Sequence, residues 1–158
     1  MRPVAGCVVC HFRAGSQSYW QLEVGTIRRD AHCHRMSESS PHALVMVVDD
    51  DVLERMGASY MLSDAGYRVI EAGNADQAMQ LFETTAGIGL LFTDVNMPGS
   101  MSGADLARQV AERWPGIGII LASGRPRPDR LPSSMRFHEK PYRHEAVLQQ
   151  AREMTALQ

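Results

Sequence analysis

Residues 88–99 read IGLLFTDVNMPG, an apolar run that leads into a carboxylate and a turn. The run at 88–92 shows no alternation of polar and apolar residues, which is typical of a strand buried on both faces of a parallel sheet. Asp94 follows this run. In open parallel sheets, ligands bind beyond the carboxyl ends of the strands. The stretch therefore predicts a helix-covered parallel sheet with a functional edge at Asp94.

Four further segments predict the rest of the sheet. Residues 43–48 and 117–122 are unbroken apolar runs, and residues 67–72 and 135–138 are weaker candidates. Helical patterns lie between these segments, so strands and helices alternate along the chain. This order predicts a doubly wound α/β domain, in which right-handed crossovers put helices on both faces of the sheet.

Spaced apolar residues and end signals mark the helices. The apolar residues are Leu53, Met56, Tyr60 and Met61; Ala78, Leu81 and Phe82; Ala107, Val110, Ala111 and Trp114; and Val147, Ala151 and Met154. Asn74 is the expected N-cap of the second helix, and Gly66 and Pro115 are expected to end the first and third. Three prolines between residues 124 and 133 predict that the helix between the fourth and fifth strands, the fourth helix of the fold, is short or broken.

Polar residues follow the strand ends, so the predicted topology would gather them at one edge of the sheet. The triplet Asp-Asp-Asp at 49–51 follows the first strand, Ser123 follows the fourth and Lys140 follows the fifth. Carboxylates held close together repel one another unless a proton or a cation offsets their charge. Carboxylate, carbonyl and water ligands suit Mg²⁺ or Mn²⁺, and a lysine with a hydroxyl suits a phosphoryl group. Lys140 is the only lysine in the chain, which suggests a need for a compact ammonium there.

These motifs resemble the receiver domain of two-component response regulators, the CheY-like superfamily. The matching segments are VVDDD at 47–51, LLFTDVNMPG at 90–99, LASG at 121–124 and EKPY at 139–142. They follow one another in the right order on the expected elements. The resemblance covers about residues 42–158, and it implies a five-stranded parallel sheet in the flavodoxin-like order 2-1-3-4-5.

The resemblance implies a phosphoacceptor site that uses a divalent metal. Asp94 would be the nucleophile and would accept a phosphoryl group from a phosphohistidine on a histidine kinase or a histidine phosphotransfer protein. Asp50, Asp94 and the backbone carbonyl of Asn96 would bind Mg²⁺ directly, and Asp49 would act through a bound water. Such a chain assists its own phosphorylation and dephosphorylation but is not an enzyme.

Other positions match the parts of the family that respond to the phosphoryl group. Ser123 would donate a hydrogen bond to a phosphoryl oxygen, and Lys140 would pair with Asp94 or its phosphorylated form. Phe137 falls at the switch aromatic position, where it would reorient once Ser123 moves inward. Arg125, two residues after Ser123, is expected to line the entrance of the site and to influence hydrolysis of the acyl phosphate.

The loop sequence and the chain end suggest the kind of protein and its partners. The MPGSM sequence at 97–101 resembles a subgroup of receivers that occur as stand-alone proteins or at the ends of hybrid kinases. The chain ends at Gln158 soon after the last predicted helix, so output is expected through a downstream protein target and not by direct DNA binding. We expect a monomer or a weak homodimer that pairs through its last helices.

Composition agrees with this class of protein. The 158 residues carry a formal net charge of −2, so a global basic field for nucleic acid is absent. No apolar run reaches the roughly 20 residues that a membrane span needs. We therefore expect a cytoplasmic protein with no membrane association.

The first 41 residues differ in pattern from the rest of the chain. Residues 36–41, MSESSP, read as a linker, and residues 1–41 show no sustained period, so we favour a disordered extension or a start placed too far upstream. Three other interpretations stay open. Cys7-Val8-Val9-Cys10-His11 fits a haem-attachment pattern, residues 4–7 resemble a lipoprotein cleavage box, and Cys7 and Cys10 with Cys33 and a neighbouring histidine could bind zinc.

Two other functions compete with the receiver. A haloacid-dehalogenase-type phosphohydrolase would use Asp49 as nucleophile, with Asp51 two residues on and Ser123 and Lys140 as its later motifs. That family needs a further acidic pair beyond its lysine, and the assignment leaves Asp94 without a role. A pseudo-receiver that binds a partner without phosphorylation is the other rival, and the complete acidic set argues against it.

Overall fold

The computed structural model describes residues 43–127, 132 and 134–156. This part of the chain contains, in order, β1 Leu44–Val48, α1 Val52–Asp64, β2 Arg68–Ala72, α2 Ala75–Thr84, β3 Ile88–Asp94, α3 Gly103–Arg113, β4 Gly118–Ser123, β5 Arg136–Glu139 and α4 His144–Thr155. Each predicted strand is present within a residue or two of its expected bounds. The predicted extension at 1–41, with its cysteine motifs and its linker, lies outside the described residues.

All five strands are parallel and lie in the order β2-β1-β3-β4-β5, which confirms the predicted fold class. The registers at the carboxyl ends pair Val48 with Thr93, Asp94 with Ala122, and Ser123 with Glu139. The strands that precede the predicted site residues therefore end side by side, and the residues that follow them meet at one edge.

The three central strands, β1, β3 and β4, are buried on both faces, as their unbroken apolar runs predicted. Alternate residues of β1 serve the two faces: Met46 packs with α2 and α3, whereas Val45 packs with α1 and α4. Phe82 and Val110 cover the first face, and Leu62 of α1 covers the second. Full burial of side chains of this size stabilises the fold by about 1.5–3 kcal/mol each.

Short polar side chains set the start of three helices. Asn74 caps α2 by accepting a hydrogen bond from the Gln77 N–H at 2.8 Å, as predicted. Asp51 caps α1, so the third carboxylate of the acidic triplet has a structural role. Ser102 and Asp105 form a capping box at the start of α3, which holds the loop after Asp94 in place.

The apolar residues predicted for the first helix do lie on a helix, α1, but most of them do not face the core. Leu53 is 79% exposed, and Met56 and Tyr60 are also exposed. The buried face consists of Ala58, Ser59, Met61 and Leu62. The helical spacing predicted the helix correctly. Which of its residues are buried depends on the position of the sheet, and the spacing does not give that position.

No helix lies between β4 and β5 among the described residues 124–127, 132 and 134–135. Residues 128–131 and 133 of the proline-rich segment lie outside the described part. The prediction of a short or broken fourth helix agrees with these bounds, and the last helix of the chain is α4. Within residues 43–127, 132 and 134–156, no helix is both long and apolar enough to cross a membrane.

Candidate functional site

Most of the predicted site residues meet in one cleft at the carboxyl edge of the sheet. The cleft has a volume of about 430 Å³, and its lining residues include Asp49, Asp50, Asp94, Asn96, Arg125 and Lys140. Asp49 lies just after β1, Asp94 ends β3, and Lys140 follows β5. Parallel strand order brings together groups that lie up to 91 residues apart in the chain.

Lys140 reaches into the cleft and contacts three carboxylates. Its Nζ lies 2.8 Å from Oδ1 of Asp94 and 3.0 Å from Oδ2 of Asp49, and it also contacts Oε2 of Glu54. Burial alone would lower the pKa of Lys140, but hydrogen bonds to Asp94, Glu54 and Asp49 outweigh burial and hold the pKa above its ordinary value. The ammonium is therefore a fixed positive charge beside the Asp94 carboxylate.

Asp94 is buried and held at both carboxylate oxygens. Oδ1 pairs with Lys140, and Oδ2 accepts the backbone N–H of Asn96 at 2.5 Å. The first residue of α3, Gly103, packs directly on the backbone of Asp94, where a Cβ would lie 1.7 Å from the Asp94 carbonyl oxygen. Asp94 also lines the cleft, so its carboxylate is held in a fixed position at the wall of the cleft.

Ser123 completes the site from the end of β4. Its hydroxyl oxygen accepts the Asn96 side-chain amide at 2.7 Å and the Arg125 backbone N–H at 3.0 Å. Because Ser123 is the acceptor in both hydrogen bonds, its hydroxyl group can still donate its own proton to another acceptor. Lys140 is tied to the same strand end, since its backbone N–H donates to the Ser123 carbonyl at 2.8 Å.

Asp49 differs electrostatically from its neighbours in the triplet. Burial raises the pKa of its carboxyl, although hydrogen bonds from Lys140 and from the Asp51 N–H oppose that shift. Arg55 supports the same turn by donating to the Asp49 carbonyl at 2.6 Å and pairing with Glu71 at 3.2 Å. Asp50, by contrast, is exposed and lines the open side of the cleft.

The donor set suits a hard cation. The carboxylates of Asp49, Asp50 and Asp94 line the cleft together with Asn96, whose backbone carbonyl is the predicted fourth donor. Among the described residues, no three His, Cys, Asp or Glu side chains converge into a ready-made metal cage. The oxygen donors that line the cleft fit Mg²⁺, which keeps several waters and uses one or two carboxylates together with phosphate oxygens.

Phe137 lies on β5 and is not among the residues that line the cleft. It is half-buried and packs against the core cluster on the α2 and α3 face. The strand connects it to Lys140, three residues on, and pairs it with Leu121, two residues before Ser123. The switch role that the resemblance implies for Phe137 stays a prediction.

Two residues contribute to the site in ways that the sequence does not reveal. Glu54 contacts Lys140 from the first turn of α1, and the Asn96 side chain, in addition to its backbone, holds Ser123. Glu54 lies on a helix and carries no motif, so only the three-dimensional position of Lys140 reveals its role. The Asn96 side chain could have been considered because asparagine is both donor and acceptor.

The chain matches the response regulator receiver domain over residues 45–138, which is more than half of its length. It is 31% identical over 97 residues to the sensor kinase CckA of Brucella abortus (strain 2308), a match that covers 61% of this chain and 10% of that protein. It is 39% identical over 85 residues to the transcriptional regulatory protein AruR of Pseudomonas aeruginosa, covering 51% of this chain and 34% of AruR. The chain thus spans much less than two thirds of either relative.

A solved structure shows the same fold. The response regulator protein TrrA from Thermotoga maritima, in complex with Mg²⁺-BeF, superposes with a TM-score of 0.65 at 23% identity, covering 70% of this chain and 97% of that one. The described elements and their strand order agree with that architecture. By its match over residues 45–138, the chain belongs to the family of response regulator receiver domains.

Proposed function

We propose that this chain accepts a phosphoryl group on Asp94 from a phosphohistidine, with Mg²⁺, as the receiver of a two-component phosphorelay. The observation that carries the proposal is the 2.8 Å contact between Lys140 Nζ and Asp94 Oδ1 in a cleft that Asp49 and Asp50 also line. An isolated cluster of carboxylates would be unstable, and a phosphoryl group needs both a nucleophile and positive charge. The cleft supplies both from this chain's own residues.

The transfer step follows from this geometry. A carboxylate oxygen of Asp94 attacks phosphorus, and the new O–P bond forms as the P–N bond to the donor imidazole breaks. The electron pair of that bond leaves with the imidazole nitrogen. Lys140 offsets negative charge on the phosphoryl oxygens, and Ser123 donates its free hydroxyl proton to one of them. The chain thereby assists its own phosphorylation, in a family of receivers and not of catalytic enzymes.

Asp50, Asp94 and the Asn96 carbonyl would hold the Mg²⁺ directly, and Asp49 would act through a bound water. When bound, the ion supplies positive charge that neutralises the phosphoryl oxygens during transfer. The donor chemistry described above supports this assignment, and TrrA, which shares the fold, was crystallised in complex with Mg²⁺-BeF. Mn²⁺ has the same preference for oxygen ligands and would substitute.

Phosphorylation would be read out through the end of the sheet. Ser123 turns toward the phosphoryl group, and Phe137 on the neighbouring strand repacks in the space that this movement leaves. Such a change biases a two-state surface near β5 and α4. A downstream protein target that recognises one of the two states would then receive the signal.

The exposed apolar side chains of α1 suggest where the phosphodonor docks. Val52, Leu53, Met56 and Tyr60 are the exposed large hydrophobic residues of the described chain, and all lie on the helix that starts beside the acidic triplet. Exposed apolar patches commonly mark protein interaction sites. A donor histidine must reach Asp94 through the cleft mouth, so its protein has to contact the surface that flanks the mouth. We therefore place the histidine kinase or phosphotransfer protein on α1.

Incubation with acetyl phosphate and Mg²⁺ tests the proposed function. Wild type is expected to gain the mass of one phosphoryl group, and Asp94→Asn is expected to gain none. Steady turnover of phosphate esters that depends on Asp49 would favour the phosphohydrolase instead. Absence of any mass change in both proteins would favour the pseudo-receiver.

A further inference from the structure

The ammonium of Lys140 has three carboxylate partners before any phosphoryl group arrives. Its Nζ lies 2.8 Å from Asp94 and 3.0 Å from Asp49, and it contacts Glu54 as well. It donates hydrogen bonds to Asp49 and Glu54 and forms an ion pair with Asp94. A phosphoryl oxygen that enters the cleft must therefore compete with these carboxylates for the three N–H donors of the ammonium.

Solvent exposure indicates which carboxylate withdraws. The side chains of Asp49 and Asp94 are 9% and 10% exposed, whereas that of Glu54 is 51% exposed. A carboxylate that leaves an ammonium for water regains its hydration, but a buried one left without its partner does not. Glu54 is therefore the partner whose release costs the least free energy.

We propose that Glu54 is a displaceable counter-ion that occupies Lys140 until a phosphoryl oxygen takes its place, and that it thereby sets the affinity of the cleft for phosphoryl groups. The inference rests on the proposed function of Asp94. Glu54 is a positioning residue, because it acts through Lys140. Its removal frees one N–H and also removes a negative charge beside the entering anion. The nucleophile and its other contacts are unchanged.

The first test separates binding from transfer. Glu54→Gln keeps the side-chain shape and loses the charge. The acetyl phosphate concentration that gives half the maximal rate, and the Kd for beryllofluoride with Mg²⁺, are each expected to fall about two- to fivefold, the range that a half-exposed ion pair provides. The rate at saturating acetyl phosphate is expected to stay close to that of wild type.

A matched control is available on α2. Glu83 is 53% exposed and pairs with Arg113 at 2.8 Å, so it resembles Glu54 in charge, exposure and pairing. Glu83→Gln is expected to give wild-type values. A fall in Kd of the same size in Glu83→Gln would show that net charge alone is responsible, and it would overturn the inference.

A spectroscopic test uses the composition of the chain. Lys140 is the only lysine, so protein labelled at the lysine ε-carbon gives one side-chain NMR signal. Glu54→Gln is expected to shift this signal in the free protein, and Glu83→Gln is not. After addition of beryllofluoride and Mg²⁺, wild type and Glu54→Gln are expected to converge, because Glu54 no longer holds the ammonium. Signals that stay equally far apart would overturn the inference.

Glu54→Asp distinguishes contact from distant charge. It keeps the charge but is one methylene shorter, so it is expected to lose the contact and behave like Glu54→Gln. If Glu54→Asp behaves like wild type while Glu54→Gln does not, the proposed contact is wrong. If wild type binds beryllofluoride and Glu54→Gln binds it equally, this inference alone fails. If wild type itself neither binds it nor is phosphorylated, the proposed function fails and this inference fails with it.

Discussion

Gly103 packs against Asp94 so closely that a Cβ at position 103 would lie 1.7 Å from the Asp94 carbonyl oxygen. The Gly103 N–H also donates to the Val95 carbonyl at 3.0 Å. The start of α3 is thereby set directly against the backbone of the proposed phosphoacceptor. The position of Asp94, the proposed nucleophile, therefore depends on the lack of a side chain at Gly103, the first residue of α3.

Gly103→Ala is expected to lower the free energy of unfolding by about 1–3 kcal/mol, because backbone atoms must move to admit the new methyl group. Urea denaturation measures the loss, and the phosphorylation rate with acetyl phosphate should fall as Asp94 shifts. Gly57→Ala is the control, since a Cβ there meets nothing within 4 Å. In the interior of α1 the same substitution is expected to stabilise by about 0.5–1 kcal/mol. Equal losses in both variants would contradict the packing argument.

Asp49→Asn is expected to raise the free energy of unfolding at neutral pH. Burial raises the pKa of Asp49 above its ordinary value of 3.8, so the folded protein binds that proton more tightly than the unfolded chain does. Stability therefore falls as pH rises from 3.8 through the raised pKa, and ionised Asp49 is destabilising above it. The advantage of Asp49→Asn should shrink as pH is lowered toward and below 3.8, which denaturation at several pH values measures.

Asp51→Asn serves as the comparison, because it is expected to change the free energy of unfolding in the opposite direction. Hydrogen bonds from the Glu54 and Leu53 backbone N–H groups hold the pKa of Asp51 below its ordinary value. Its ionised form is stabilising above pH 3.8, and that contribution is lost as pH falls through the lowered pKa. Asp51→Asn should therefore be less stable than wild type at neutral pH. The account of the two carboxylates is contradicted if both asparagine variants shift stability in the same direction.

Leu53→Gln tests α1 as the docking surface for the phosphodonor. The residue is 79% exposed, so the fold should tolerate glutamine, and phosphorylation by acetyl phosphate should be unchanged. Transfer from a phosphohistidine protein that phosphorylates wild type should slow about five- to tenfold at limiting donor, because an apolar contact is lost. Slowing with both donors, or with neither, would place the docking surface elsewhere.

The hypothesis that residues 1–41 form a separate extension has its own test. Deletion of residues 1–40 is expected to leave the melting temperature and the phosphorylation rate nearly unchanged, because the predicted strands, helices and site residues all follow residue 41 in the sequence. Differential scanning calorimetry and a zinc assay on both proteins measure the effect. A large loss of stability or of bound zinc would show that the segment is a structural part of the protein.

Unbroken hydrophobic runs predict the three central strands, because a strand buried on both faces leaves a clear local pattern, whereas the half-exposed edge strands β2 and β5 leave a weaker one. The polar residues after the runs were then located by topology, which is how Asp94 and Lys140 could be placed together. The face of α1 that is exposed, by contrast, could not be predicted, because it depends on where the sheet lies relative to the helix. Glu54 and Gly103 act through contacts across the chain that no local pattern encodes.

The most direct test of the central claim is to find the atom that carries the phosphoryl group. Wild type is treated with acetyl phosphate and Mg²⁺, and the acyl phosphate is reduced with borohydride, which converts a phosphorylated aspartate into homoserine. Peptide mass spectrometry then identifies the position. The account predicts homoserine at position 94 and at no other aspartate. Homoserine at position 49, or intact aspartate throughout a protein that carries phosphate, would contradict it.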